Sequence, residues 1–242
     1  MTGQPALLVD DGTLAISDLH LGFERALEAR GVHVPEQTQL LLDRVKAIGE
    51  GNSARRLVIL GDVKHDIRGA SLYTSMSVAS FFRGLEDAFD ELYVIPGNHD
   101  GGLAPLLPAK VRLAGPGGMA LQTTEGRVGF FHGHAHPAAS VGRSKVLVTG
   151  HHHLILSRQG TRQGIWVRLT FGEAPAVQTL IVMPAFNPLL SGMPASEFTP
   201  KKWEPVVERF LKGSYEAEAF LLDGSKLGNL EELADRLLIE SD

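Results

Sequence analysis

The sequence predicts an α/β fold, a layered sandwich of mixed sheets with helices on the outside. Three observations point to it. Largely apolar runs at Leu57–Leu60, Leu92–Ile95, Val128–Phe131 and Lys145–Val148, with Leu14–Ile16 before them, read as strands covered on both faces. Helical spacing separates the first three runs, and strand, helix, strand alternation implies a sheet with a parallel portion. After His136 the pattern shifts to strands and turns, which predicts an antiparallel second half.

Each element has its own signal. Leu40, Leu41, Val45 and Ile48 make a helix over Pro35–Ile48 that stops at Gly49, and Val78, Phe81, Phe82, Leu85 and Phe89 make another over Ser75–Leu92. Turns are expected at Gly115-Pro116-Gly117-Gly118 and Arg158-Gln159-Gly160-Thr161. The main domain is read as 1–195, with 196–242 as an elaboration packed on it because so short a stretch cannot form a core alone. In that elaboration Thr199 and Pro200 open a helix ending at Gly213, Ala217–Leu222 is a strand, Asp223-Gly224 a turn, and Asn229 caps a last helix.

Composition narrows the chemistry. The chain has 242 residues, 43% hydrophobic and 21% charged, which suits one globular core. The absence of a run of about 18 apolar residues and of a basic-then-apolar leader makes a cytoplasmic location the expectation, with no membrane partner. There is no cysteine, so a metal must be held by oxygen and imidazole nitrogen. A net charge of −5 argues against a general DNA coat. Between Gly126 and Phe171, however, there is no acid while Arg127, Arg143, Lys145, Arg158, Arg162 and Arg168 occur, a stretch that reads either as ordinary hairpin cations or as a positive rim for an anionic substrate.

Five polar motifs each follow an apolar run: Asp18-Leu19-His20, Gly61-Asp62, Gly97-Asn98-His99-Asp100, His132-Gly133-His134 and Gly150-His151-His152-His153. All would sit beyond the carboxyl ends of strands, where α/β sheets gather their ligands. Any one recurs by chance in unrelated proteins; five in this order do not. Of the ten histidines only His33 lies apart from them, and it is read as structural. Two carboxylates, a carboxamide and several imidazoles in one place make a site for two divalent metals, and a metal pair points to phosphate-ester hydrolysis.

With these residues the chain resembles the calcineurin-like metallophosphoesterases over roughly residues 10 to 155. Within them, Gly61-Asp62-Val63-Lys64-His65, His132-Gly133-His134 and Met183-Pro184-Ala185-Phe186-Asn187-Pro188 resemble the compact archaeal phosphoesterases related to the SbcD nuclease. The resemblance implies that Asp18, His20 and His153 hold one metal, that Asn98, His132 and His151 hold the other, and that Asp62 bridges them. It implies that His99 faces the leaving group as acid or cation, with Asp100 orienting it. His65 would contact the substrate phosphate, although Lys64 departs from the apolar residue usual in those nucleases. His134, His136 and His152 alternate with ligands and are read as their support. Oxygen and imidazole ligation suits manganese, the expected metal, with iron, zinc or nickel as alternatives.

The function expected is a dinuclear phosphodiesterase in which a metal-held hydroxide attacks nucleotide or nucleic-acid phosphate, single-stranded nucleic acid included. The alternatives are a phosphomonoesterase and a metal-poor scaffold of the same fold; a scaffold loses ligands, and this chain has lost none. A metallo-β-lactamase reading of His132-Gly133-His134-Ala135-His136 leaves Asp18, His20, Asp62 and Asn98 unused, and a serine triad lacks its Gly-x-Ser-x-Gly elbow.

Overall fold

The computed structural model describes residues 3–9, 11–124, 126–158, 160–172, 177–197 and 215–239. Two sheets lie face to face with helices on their outer sides. The first holds five strands in the order β1 (Leu7–Val9), β2 (Thr13–Ile16), β3 (Arg56–Leu60), β4 (Glu91–Ile95) and β5 (Val111–Leu113); β1 is antiparallel to β2 and the rest are parallel. The short α1 (Phe23–Glu28) and α2 (Thr38–Gly51) connect β2 to β3, and α3 (Leu72–Leu85) connects β3 to β4.

The second sheet has seven strands. From one edge they run β14 (Lys226–Asn229), β13 (Tyr215–Phe220), β11 (Trp166–Phe171), β12 (Thr179–Val182), β8 (Val146–Thr149), β7 (Gly126–Phe131) and β6 (Met119–Thr123). A separate hairpin joins β9 (Ile155–Arg158) to β10 (Thr161–Gly164), and α4 (Leu230–Ile239) follows β14. The second half is mixed, not antiparallel: β8 runs parallel to both β7 and β12. That departure matters, because it sends the ends of β7, β8 and β12 the same way.

Strand alternation builds three apolar layers. Along β3, Leu57 and Ile59 face outward to Leu41, Val45, Phe81 and Phe82 of α2 and α3, while Val58 and Leu60 face inward to Phe130, Val148 and Trp166 of the other sheet. The far face of the seven-stranded sheet packs Leu147, Val167 and Leu169 with Leu230, Leu233 and Leu237 of α4. Layers of helix, sheet, sheet and helix result, as the sequence predicts.

Some boundaries move. The helix expected over Ser75–Leu92 begins at Leu72, where the Ser71 side chain accepts from Thr74 N at 3.1 Å, and ends at Leu85. Phe89 is buried all the same, against Gly49, where an added Cβ would stand 2.6 Å from its ring. The helix expected to Gly213 lies outside the described residues. Asn229 does cap the last helix, its Oδ1 accepting from Glu231 N and Glu232 N at 2.9 and 3.2 Å. Among the described residues no helix is long and apolar enough to cross a membrane.

On β13, Glu218 stands opposite Arg168 of β11 and also meets Lys226 of β14 at 2.5 Å. The hydrogen bonds from Lys226 and Arg168 hold its carboxyl below the ordinary value of 4.5. A depressed carboxyl stabilises the fold above its unfolded pKa and loses that effect as the pH falls. Glu218→Gln is expected to lower the melting temperature by roughly 2–4 °C at pH 7. In thermal unfolding the gap from the parent closes below about pH 4.5.

Candidate metal centre

The loops after β2, β3, β4, β7 and β8 meet where the carboxyl ends of the two sheets face each other. Asp18 N donates to Gly61 O at 3.2 Å and His20 N to Asp62 O at 2.8 Å, so the parallel ladder of β2 and β3 continues into the motif loops. Between the sheets His132 Nδ1 donates to Leu60 O at 2.7 Å and His151 N donates to Asp18 Oδ2 at 3.1 Å. A carbonyl can only accept, so His132 Nδ1 carries the hydrogen and Nε2 presents a lone pair to the site.

The cost of this convergence shows in the backbone. Asp18, His20, Asp62, His151 and His153 all have φ between 44 and 70°, where side chains other than glycine are uncommon. Only one further residue that is not glycine, Ser53, shares that region among the described residues. Two motif glycines are there for closeness: a Cβ on Gly97 would lie 2.1 Å from Asp62 Oδ1, and one on Gly150 would lie 1.7 Å from Ser17 Oγ.

Two sets of donors gather. Asp18, His20 and His153 form one and Asp62, His132 and His151 the other, with the ligand atoms of each set within 4.8 Å of one another. Asn98 Oδ1 joins the second set, 3.3 Å from His132 Nε2. Asp62 Oδ2 lies 3.3 Å from His20 Nε2 and 3.4 Å from His132 Nε2, so one carboxylate oxygen touches both sets. All seven residues expected as ligands are therefore together. A third set, His20, His65 and His99, is made of imidazoles alone.

The donor chemistry fits divalent cations. Asp18 is fully buried, and its Oδ1 faces His153 Nε2 at 2.8 Å; yet neither atom, nor His20 Nε2, has a hydrogen bond of correct geometry among the described residues. Lone pairs converging without hydrogens between them are what a cation requires. Burial pushes the Asp18 carboxyl up, but His153 and His132 outweigh it and hold it below the carboxylate range. Burial is likewise outweighed at Asp62, by the neighbouring His132 and His20 imidazoles and the backbone N–H of His99. Conversely, the carboxylates Asp62 and Asp18 overcome burial to raise His132. Positive charge is wanted between these groups.

Around this centre the remaining histidines divide. His99 N donates to Asp62 Oδ1 at 2.9 Å, and its ring Nδ1 donates to His65 O at 2.5 Å, which leaves Nε2 as the outward edge. The family resemblance implies that Asp100 orients His99. In the structure the Asp100 carboxylate instead accepts from Gly97 N at 2.8 Å and Lys64 N at 3.3 Å, so it shapes the loop and the His65 carbonyl aims the ring. The His65 and His20 Nδ1 atoms are 3.3 Å apart, and burial with the neighbouring His20 and His99 lowers His65 to about 4. His134 and His152 lie beside His132 and His151, with ring centroids 5.2 and 5.5 Å apart, while His136 and His33 are exposed.

Four supporting residues were given no role by the sequence, although Lys64 and Asn187 lie in motifs that carry the resemblance. Ser17 bonds the Asp18 carboxylate and Leu60 O, Thr149 Oγ1 donates to His132 O at 2.7 Å, and buried Asn187 donates to Leu19 O at 2.8 Å. Lys64 is completely buried, and its ammonium bonds the carbonyls of Asp66 and His99, tying the second motif loop to the third. Gly97→Ala would drive a methyl into Asp62. It is expected to remove most of the stabilisation that added manganese gives the parent, read as the loss of a metal-dependent rise in melting temperature.

A family model described as calcineurin-like phosphoesterase matches residues 13–214. No curated protein matches the chain. Among solved structures it is similar to the Pseudomonas putida nuclease MPE, with 18% identity and a TM-score of 0.60 over 94% of this chain and 93% of that one. It is also similar to Yfce, a phosphoesterase from E. coli, with 18% identity and a TM-score of 0.46 over 90% of this chain and 97% of that one. At 18% identity the likeness to the Pseudomonas putida protein is one of fold. The family match spans most of the chain and every motif loop: the protein belongs to the calcineurin-like phosphoesterases, hydrolases that act on phosphate esters with divalent metal ions.

Proposed function

We propose that this phosphoesterase is a dinuclear phosphodiesterase acting on nucleotide or nucleic-acid phosphate. The observation that carries the reading is Asp62, one oxygen of which stands within 3.4 Å of an imidazole from each donor set. In it Asp18, His20 and His153 hold one ion, Asn98, His132 and His151 hold the other, and Asp62 spans both. Manganese is the proposed ion, with iron, zinc or nickel as alternatives for the same ligands. When bound, such a pair supplies an acidified water and Lewis-acid polarisation of the phosphoryl oxygens.

The chain's own groups do the rest. Hydrolysis joins a water oxygen to phosphorus, breaks the bond to the leaving alcohol and requires a proton on that alcohol's oxygen. His99, with Nδ1 fixed on the His65 carbonyl, is placed to give that proton from Nε2 when the ring is the imidazolium. His65 stacks near it, ring centroids 5.6 Å apart, and is proposed to contact a non-bridging phosphate oxygen. Asp100 and Lys64 fix the loop on which His99 rides. The preference for diesters, and the narrower kinship with SbcD-related phosphoesterases, is supported by Gly61–His65 and His132–His134; the similar Pseudomonas putida protein is a nuclease by name. Residues 196–242 are read as an elaboration on the same domain, supported by the pairing of β13 with β11.

The test sets manganese-loaded protein side by side on bis-p-nitrophenyl phosphate and p-nitrophenyl phosphate. The expected result is preference for the diester. Preference for the monoester sinks the diesterase reading, and protein that holds no metal and turns over neither revives the scaffold. Asp62→Asn is expected to lose at least about a hundredfold in rate while remaining folded by circular dichroism. His99→Ala is expected to keep the metal-dependent rise in melting temperature. It should lose about 10²–10⁴-fold on a diester with an alkoxide leaving group, and less on p-nitrophenolate, which leaves without a proton. Loss of the metal instead would make His99 a ligand.

A further inference from the structure

A groove leads away from the metal centre past His153, and among the described residues no acid lines it. Its first part, a cavity of about 70 Å³, is bounded by His153, Arg162, Gln163 and Asn187. The next, of about 190 Å³, shares Arg162 and Gln163 and extends to Phe186 and Arg44. Among the described residues the only Lys, Arg, Asp or Glu along the two are these arginines. Arg162 projects, exposed, from β10 and has no ion pair among the described residues.

Arg44 is more telling because it is already half-buried and fixed. Its guanidinium donates to Gln4 Oε1 at 2.6 and 2.9 Å and to Phe186 O at 3.0 Å, and lies 4.8 Å from the centroid of the Phe186 ring. None of these partners is a carboxylate. A partly desolvated cation held rigid without an anion is costly unless an anion arrives from outside. A phosphomonoester ends at the metals and has no use for cations further along. A polynucleotide carries a phosphate on the nucleotide next to the scissile one.

We propose that this groove seats the nucleotide chain on one side of the scissile bond, with Arg162 and Arg44 as the cations for its flanking phosphate. The inference rests on the phosphodiesterase reading above and narrows its substrate to single-stranded oligonucleotides rather than isolated diesters. Recognition here is of the backbone, independent of base, so binding depends on salt.

The test uses Arg162→Gln, an exposed position whose loss leaves the core untouched, with Arg162→Lys to restore the charge. Binding of a fluorescein-labelled single-stranded oligothymidylate is followed by anisotropy in EDTA across salt concentrations. The same variants are then assayed with manganese on that oligonucleotide and on bis-p-nitrophenyl phosphate. Loss of one phosphate contact should reduce the slope of log K against log salt by about 0.7, and Arg162→Lys should return it. The ratio of kcat/KM for oligonucleotide over small diester should fall about tenfold, the worth of one charge-assisted contact. An unchanged slope, or an equal loss on both substrates, overturns the groove. Wild-type protein that hydrolyses neither substrate overturns the phosphodiesterase reading, and the slope in EDTA still decides the groove.

Discussion

The site depends on the burial of two carboxylates, Asp18 and Asp62, at the seam between two sheets. A buried carboxylate is tolerated only with strong compensation, and here the compensation comes from both sheets: His20 on the first, His132 and His153 on the second. The seam cannot open without stranding charge. Catalytic geometry and the docking of the two layers are thus one constraint, reinforced by the bond from His132 Nδ1 to Leu60 O.

Such convergence has a local cost. Five of the seven residues grouped there sit in left-handed backbone, each at about 1–2 kcal/mol by general experience. The cost is met by the surrounding ladders and by hydrogen bonds from Ser17, Thr149, Asn187 and Lys64, which hold the loops from behind. The same packing leaves one side open, toward Arg162 and Arg44, where cations without acids define the approach for an extended anion.

Much of the fold was legible because continuous apolar runs and helical spacing are local signals. Leu57 to Leu60 announced a strand covered on both faces, and each of those faces is covered. The gathering of these seven residues was legible because metal chemistry demands residue types that few other roles place after strand after strand. What failed was non-local. The parallel entry of β8 beside β7 and β12 has no mark in a run such as Lys145–Val148, since parallel and antiparallel buried strands share one composition. The acid-free stretch from Gly126 to Phe171 held cations with different fates: Arg168 is tied to Glu218, while Arg162 faces the groove.

The sequence by itself determined which polar motifs follow the strands and which layers they hang on, because both follow from residue type and local pattern. Only the tertiary structure decided which group aims the His99 ring, the backbone carbonyl of His65 and not the Asp100 carboxylate. It alone buried Lys64 as a tie between loops and joined Arg44 to Arg162 across more than a hundred residues. Contacts at that separation depend on how strands stack in space, and nothing in the local pattern encodes it.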